Sequence, residues 1–181
     1  MMKVDLPPHS HVLDFGGYHG DFSASIQPRD IARIDIFEPV PTFAEIIQNR
    51  FMDDYRIQVH AYAIGKTSRR ERFTLDASAT GKSNTGDVDV EFREAGVLKE
   101  IQSDFFDLVK MNIEGGEYEL IESLDEINYL RKIRTILIQF HNFNGEDFSQ
   151  ARLTLSKTHT PVWQFEYVWE RWDLNASELM Y

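Results

Sequence analysis

The residues best suited to chemistry fall in four short stretches. The first is Asp14-Phe-Gly16-Gly17-Tyr18-His-Gly20, which closes the apolar run His11 to Phe15. Glycine costs backbone entropy wherever it is fixed, so such a cluster points to a turn that a ligand or another strand approaches closely. The second is Glu38, at the end of the next apolar run and 24 residues after Asp14. A carboxylate at the end of a second strand can accept hydrogen bonds from both hydroxyls of a ribose. The third is Lys110-x-Asn112-x-Glu114-Gly115-x-Glu117, and the fourth Gln139-x-His141. An imidazole titrates near neutrality, which makes His141 the first candidate for a general base. Glu114 and Glu117 are the next candidates, since burial raises a carboxyl pKa, while an acid at a helix start also serves the helix dipole.

These groups need a scaffold that brings them to one place, and the apolar periodicity supplies one. Strands are expected at His11 to Phe15, Ile31 to Phe37, Ile57 to Ile64, Phe105 to Ile113 and Ile133 to Phe140. Helices are expected within Asp21 to Gln27, from Pro41 to about Arg50, from Glu117 to about Leu124 and from Glu146 to Lys157. Short strands at Glu71 to Leu75 and Val88 to Phe92 flank a polar segment, Asp76 to Asp87, expected to be a mobile loop whose Ser78, Lys82 or Ser83 touches substrate. The closing PVWQFEYVWERWDL alternates aromatic and polar residues as a hairpin does. Strands alternating with helices predict a single α/β domain with a mostly parallel sheet covered on both faces, and the hairpin makes the sheet mixed. Ligands of such sheets sit beyond the carboxyl ends of the strands, where Asp14, Glu38, Asn112, Glu114, Gln139 and His141 would all collect.

Composition narrows the partners. The chain has 181 residues with 42% hydrophobic side chains, enough for one sizeable core. Thirty acidic against 19 basic residues give a formal charge of −11, which disfavours nucleic acid and anionic membranes as partners. Arg69, Arg70 and Arg72 read as a solvated strand edge. The absence of cysteine excludes disulfides, zinc–thiolate sites and thiol nucleophiles. No run of about 18 apolar residues and no apolar leader is present, so a cytoplasmic protein is expected. The six histidines lack metal-ligand spacing, and no metal is expected. Gly81-Lys82-Ser83 lacks the glycine that a phosphate-binding loop needs five residues earlier, where Asp76 stands. Asn175-Ala176-Ser177 fits a glycosylation acceptor, which carries meaning only in a secreted chain. Trp163, Trp169 and Trp172 could stack on a sugar, though a hairpin packing its aromatics is the commoner role.

From the glycine loop and Glu38 alone, the ligand is a nucleoside, either a nicotinamide dinucleotide or S-adenosylmethionine. VLDFGGYHGDFS, IFEPVPTFAEIIQNRF, VHAYAIG, DLVKMNIEGGEYELIESL and ILIQFH, in this order, resemble the FkbM family of S-adenosylmethionine-dependent methyltransferases from about residue 11 to 141. The resemblance implies a class I methyltransferase (Rossmann-like) three-layer sandwich and methyl transfer to oxygen on a small molecule or glycan. It places Asp14, Gly16 and Gly20 under the methionine part of the cofactor, Glu38 on the ribose and Ala63 near the adenine; Gly17 is expected at the cofactor, and Tyr18, which stands where the family often has Asn, either packs on the cofactor or points outward. Together with the reading of the residues themselves, this sets Asn112, Glu114 and His141 as expected at the reacting centre, and Lys110, Glu117, Gln139 and Ser83 as expected at the substrate. Two residues depart from the family pattern: Asn112 stands where it has Asp, and Gln139 where it has Glu. Amides keep the shape but lose the charge, so a catalytically impaired cofactor-binding or interaction module is the alternative. The family's N-terminal helices are expected to be missing, which leaves substrate contacts to the central loop, the hairpin, a second copy or a companion subunit.

Overall fold

Alternation along four strands sorts the apolar side chains onto two faces, and this builds the three layers. In the computed structural model, which describes residues 4–75, 80–82, 88–101, 103–141, 148–165 and 168–177, Leu13, Phe37, Val109 and Ile136 point to one face. Their neighbours Val12, Ile36, Leu108 and Leu137 point to the other. The strands are β1 (Ser10–Phe15), β2 (Ile31–Phe37), β3 (Ile57–His60), β4 (Ala63–Gly65), β5 (Arg69–Leu75), β6 (Thr80–Lys82), β7 (Val88–Glu94), β8 (Leu108–Met111), β9 (Thr135–Ile138), β10 (His159–Phe165) and β11 (Trp169–Leu174). The helices are α1 (Asp21–Ile26), α2 (Pro41–Arg50), α3 (Glu117–Glu126) and α4 (Phe148–Ser156). Leu120 and Leu124 of α3 and Leu155 of α4 pack on the first face; Ile26 of α1 and Ile47 of α2 pack on the second.

The main sheet has the order β10-β11-β9-β8-β1-β2-β3, parallel except for β11. From β1 the chain winds outward through β2 to β3, then returns to place β8 on the other side of β1. The gap between β1 and β8 is therefore the switch point, where an open parallel sheet leaves a crevice at its carboxyl edge. Asp14 and Lys110 are directly paired across it. Lys110 Nζ lies 3.0 Å from Asp14 Oδ1 and donates to the Gly16 carbonyl at 2.5 Å and the Phe15 carbonyl at 3.3 Å. Asp14 Oδ2 accepts from Ser23 Oγ of α1 at 2.7 Å.

The expected strand Ile57 to Ile64 is divided. β3 stops at His60, whose carbonyl accepts the Glu38 N–H, and Ala63 pairs with Phe92 of β7 in a separate sheet of order β4-β7-β5-β6. A bidentate Arg69–Glu119 pair, at 2.7 and 2.8 Å, ties this small sheet to α3. The expected mobile loop is corrected at Thr80–Lys82, which pairs antiparallel with Phe73–Leu75. Ser78 and Ser83 lie outside the described residues. The strands expected at Phe105 to Ile113 and Ile133 to Phe140 shorten to β8 and β9, with one bridge from Phe106 to Ile133 ahead of them. The terminal hairpin forms as expected, with Trp172 buried and its Nε1 donating to Glu170 Oε2 at 2.9 Å. Among the described residues no helix is long and apolar enough to cross a membrane.

Two stability predictions follow from buried charge. Lys110→Met strands the Asp14 carboxylate in the sheet and should cost about 3–5 kcal/mol in urea unfolding, whereas Asp14→Asn with Lys110→Met should recover over half. His159 is buried and neutral, its Nε2 on the Ile133 carbonyl at 3.0 Å and its Nδ1 against Thr158 Oγ1 at 2.7 Å. Burial holds its pKa down at about 4 from the usual 6.5. The unfolded chain therefore binds the proton first, and this contribution, whole above pH 6.5, is lost as the pH falls. Urea titrations at pH 7 and 4 should show wild type losing roughly 3 kcal/mol more than His159→Gln.

Candidate active site at the carboxyl edge of the main sheet

The turn after β1 is held by the end of β2. Gly16 N and Gly17 N both donate to the Phe37 carbonyl, at 2.9 and 3.4 Å. Gly16 has φ +81°, and a Cβ there would lie 2.0 Å from the Asn112 carbonyl oxygen, so the β1 turn and the end of β8 touch through bare backbone. At Gly17 a Cβ would meet Ile36 Cγ2 at 2.4 Å. Gly20 ends the turn at the start of α1 and bonds back to the Gly17 carbonyl. Tyr18, at φ +50° and 53% exposed, stacks on His19 with centroids 3.9 Å apart and meets Phe43 edge-on.

Glu38 is only 5% exposed, yet it sits beside this turn. Its Oε2 accepts the Tyr18 N–H at 2.8 Å and its Oε1 the Val40 N–H at 2.9 Å. A carboxylate offers about four acceptor positions, so two remain for a ligand. Burial pushes its pKa up to about 7, against the lowering effect of the two amide bonds and Lys110.

On the far side of the crevice Glu117, fully buried at the start of α3, plays the corresponding part. Its Oε1 accepts the Ile113 N–H and its Oε2 the Gly115 N–H, both at 2.9 Å, which shapes the turn between β8 and α3. Oε1 also takes His141 Nδ1 at 2.9 Å. Tyr118 Oη donates to the His141 carbonyl at 2.9 Å, so the segment after β9 is fixed at both ring and backbone. Burial works against protonation of His141, but the bond to Glu117 and the charges of Glu117 and Glu114 outweigh it, and its pKa is raised. Glu114 stands at φ +52°, with Oε1 3.8 Å from His141 Nε2. Burial and then the Glu117 charge raise its pKa, against the pull of His141. Of the non-glycine residues at positive φ, Tyr18 and Glu114 stand in the turns after β1 and β8, while His9 and Asn128 lie elsewhere.

The structure thus brings Asp14, Gly16, Gly17, Tyr18, Gly20, Glu38, Asn112, Glu114, Glu117, Gln139 and His141 to one edge. Lys110, expected at the substrate, is 6% exposed and spends its ammonium on Asp14 and the loop carbonyls. Ala63 lies in the small sheet rather than on the end of β3. Gln139 is half-buried, its N–H on the Met111 carbonyl at 3.0 Å. Ser23 and Tyr118 escaped the sequence reading; a serine nine residues past the strand-end aspartate and a tyrosine beside Glu117 are the signals that mark them. Asn112 Oδ1 is buried with no hydrogen-bond partner among the described residues, while Asp14 Oδ1 is held by the Lys110 ammonium at 3.0 Å. With the open positions on Glu38, Asn112 offers acceptors to a ribose diol and an ammonium, so the residues fit an S-adenosylmethionine-like group. No group of three or more His, Asp or Glu side chains among the described residues is set to hold a metal ion.

Comparison with known proteins bears on the same crevice. The Methyltransferase FkbM domain matches residues 14–167. An FkbM methyltransferase from Methylobacillus flagellatus KT is similar in structure, with 16% identity and a TM-score of 0.58. The match covers 91% of this chain but 43% of that one, so the chain spans less than half of its length. The N-methyltransferase NodS from Bradyrhizobium japonicum WM9, in complex with S-adenosyl-L-homocysteine, is 12% identical with a TM-score of 0.52, over 92% and 79% of the two chains. An rRNA methylase from Streptococcus thermophilus is 10% identical with a TM-score of 0.57, over 93% and 89%. No curated protein matches significantly. The sheet order, the antiparallel hairpin and these neighbours establish the class I methyltransferase fold, and the domain match across most of its length makes this chain a member of the FkbM methyltransferase family.

Proposed function

We propose that the chain binds S-adenosylmethionine and transfers its methyl group to a hydroxyl of a small molecule or glycan. The observation that carries this reading is Glu38: a buried carboxylate, held by the Tyr18 and Val40 amides beside the glycine turn, with acceptor positions to spare. Glu38 would receive the ribose hydroxyls, and Asn112 would accept a donor of the methionine part beside the turn that Asp14 and Lys110 hold. The cofactor supplies a methyl group on a positively charged sulfur, already activated for displacement. The protein's task is then to align the acceptor, exclude water and take one proton.

His141 is placed for that proton. Its Nδ1 is committed to Glu117, which fixes the ring, and its Nε2 lies 3.8 Å from Glu114 Oε1. In this reading a hydroxyl acceptor would give its proton to the His141 ring, and Glu117 would stabilise the imidazolium, as a carboxylate stabilises the base in other oriented pairs. The fold alone does not choose oxygen, since it carries many acceptors; the oriented base supports an acceptor that must lose a proton, as a hydroxyl does. Asn112 and Gln139 favour the second reading, a cofactor-binding module without turnover, because both are neutral at the strand ends that face the acceptor.

Two measurements test this. In calorimetric titration with S-adenosylhomocysteine, affinity should fall about tenfold from pH 8 to pH 6 as Glu38 takes up its proton through pH 7, and Glu38→Ala should bind weakly with that dependence gone. No binding at either pH sinks the cofactor reading. For His141, imidazole NMR should show the Nδ1–H tautomer with a pKa above the usual 6.5, moving down in Glu117→Gln. An unmoved pKa would sink the oriented base, and cofactor binding without transfer to any hydroxyl acceptor would favour the module.

A further inference from the structure

The terminal hairpin carries an apolar surface away from the crevice chemistry. β10 is the last strand of the seven-stranded sheet, so it pairs on one side only within that sheet. Register sets Phe165 opposite Trp169, with Trp163 two residues along β10, so three aromatic side chains share one face of the hairpin. Trp163 and Phe165 have ring centroids 5.6 Å apart. Trp163 and Trp169 rest partly on the cluster that holds Val12, Ile36 and Leu137, whereas Phe165 is 62% exposed. Val162 and Val168 are 51% and 57% exposed. The helices of this face, α1 and α2, pack over β2 and β3 at the other end of the sheet.

Charge also sets this surface apart. The seven residues of β10 include no Asp, Glu, Lys or Arg, although 27% of the chain is charged. On the same face of β11, Arg171 donates to Asp173 at 2.9 and 2.8 Å, so these two charges match each other. Edge strands are ordinarily protected by charge, by proline, by a bulge or by being short. β3, at the opposite edge, has only four residues. On β10 the protection covers one half, through Pro161 and the register shift between Pro161 and Trp163. Trp163, Gln164 and Phe165 have neither.

We propose that this surface is the interface of a twofold homodimer, in which Val162, Trp163, Phe165 and Val168 of two copies pack on one another. A chain of net charge −11 repels its own copies at most contacts, because like charges brought together oppose association. The hairpin face joins aromatic area to, among the described residues, no unmatched charge. A nucleic acid or a strongly charged peptide has nothing to neutralise there; a second copy of the same neutral face does not need it. Aromatic side chains at the centre of a self-complementary patch suit a closed, isologous contact. Pro161 and the bulge beside it keep that contact from growing into an extended sheet.

The test is the oligomeric state of the whole chain. Gel filtration with light scattering at about 50 µM, enough to populate a dimer of micromolar Kd, should give twice the mass of one chain. Phe165→Lys and Val168→Lys should each give the mass of one chain, with the circular dichroism of the wild type, since both positions are exposed. Lysine makes the chain less acidic, so added repulsion between acidic copies cannot account for the loss. Met52→Lys, at an exposed position beside β3, should leave the dimer intact. A wild-type monomer overturns the proposal. So does a dimer that persists in both hairpin variants, or one that Met52→Lys also abolishes.

Discussion

Everything at the carboxyl edge depends on one buried ion pair. Asp14 and Lys110 face each other across the switch point between β1 and β8, and each is also tied to the glycine turn or the helix after it. A pair this deep gains little over apolar residues of the same size, because both ions give up their water. Its value is positional. The ammonium draws the Phe15 and Gly16 carbonyls toward β8, and with the bare backbone contact between Gly16 and Asn112 it sets how closely the two halves of the crevice approach.

From that hinge the two sides are built alike. Glu38 on one side and Glu117 on the other each accept two backbone amides from an irregular turn, and each turn carries a residue at positive φ, Tyr18 and Glu114. Buried polar groups are tolerated where they are bonded, and a carboxylate that satisfies two amides at once stiffens a turn that no regular structure supports. The difference lies in what each carboxylate has left. Glu38 keeps acceptor positions, which suits a diol; Glu117 spends its remaining capacity on His141, which suits a proton acceptor.

Asn112 and Gln139 fit this division. With Glu38, Glu114 and Glu117 already in the crevice, two more carboxylates would add like charges in a partly desolvated space. Amides offer the same reach with a donor and an acceptor each. The buried carboxylates of the site each have defined partners, Glu38 on two amides and Glu117 on two amides and His141.

The sequence by itself determined the layers, because period-two alternation in β1, β2, β8 and β9 and the helix starts at Pro41 and Glu117 are local signals with local causes. It also determined the crevice residues, since strand ends, glycines and acids are written in order along the chain. The tertiary structure decided what those residues do. Lys110 turns inward because Asp14, almost a hundred residues away, is its register partner. Glu117 reads as a helix-start acid until the return of β9 brings His141 to it. The third expected strand divides because Ala63 finds Phe92 and the chain leaves the main sheet after His60. Each of these is a contact between distant segments, and composition and spacing carry no record of which buried partner will stand opposite.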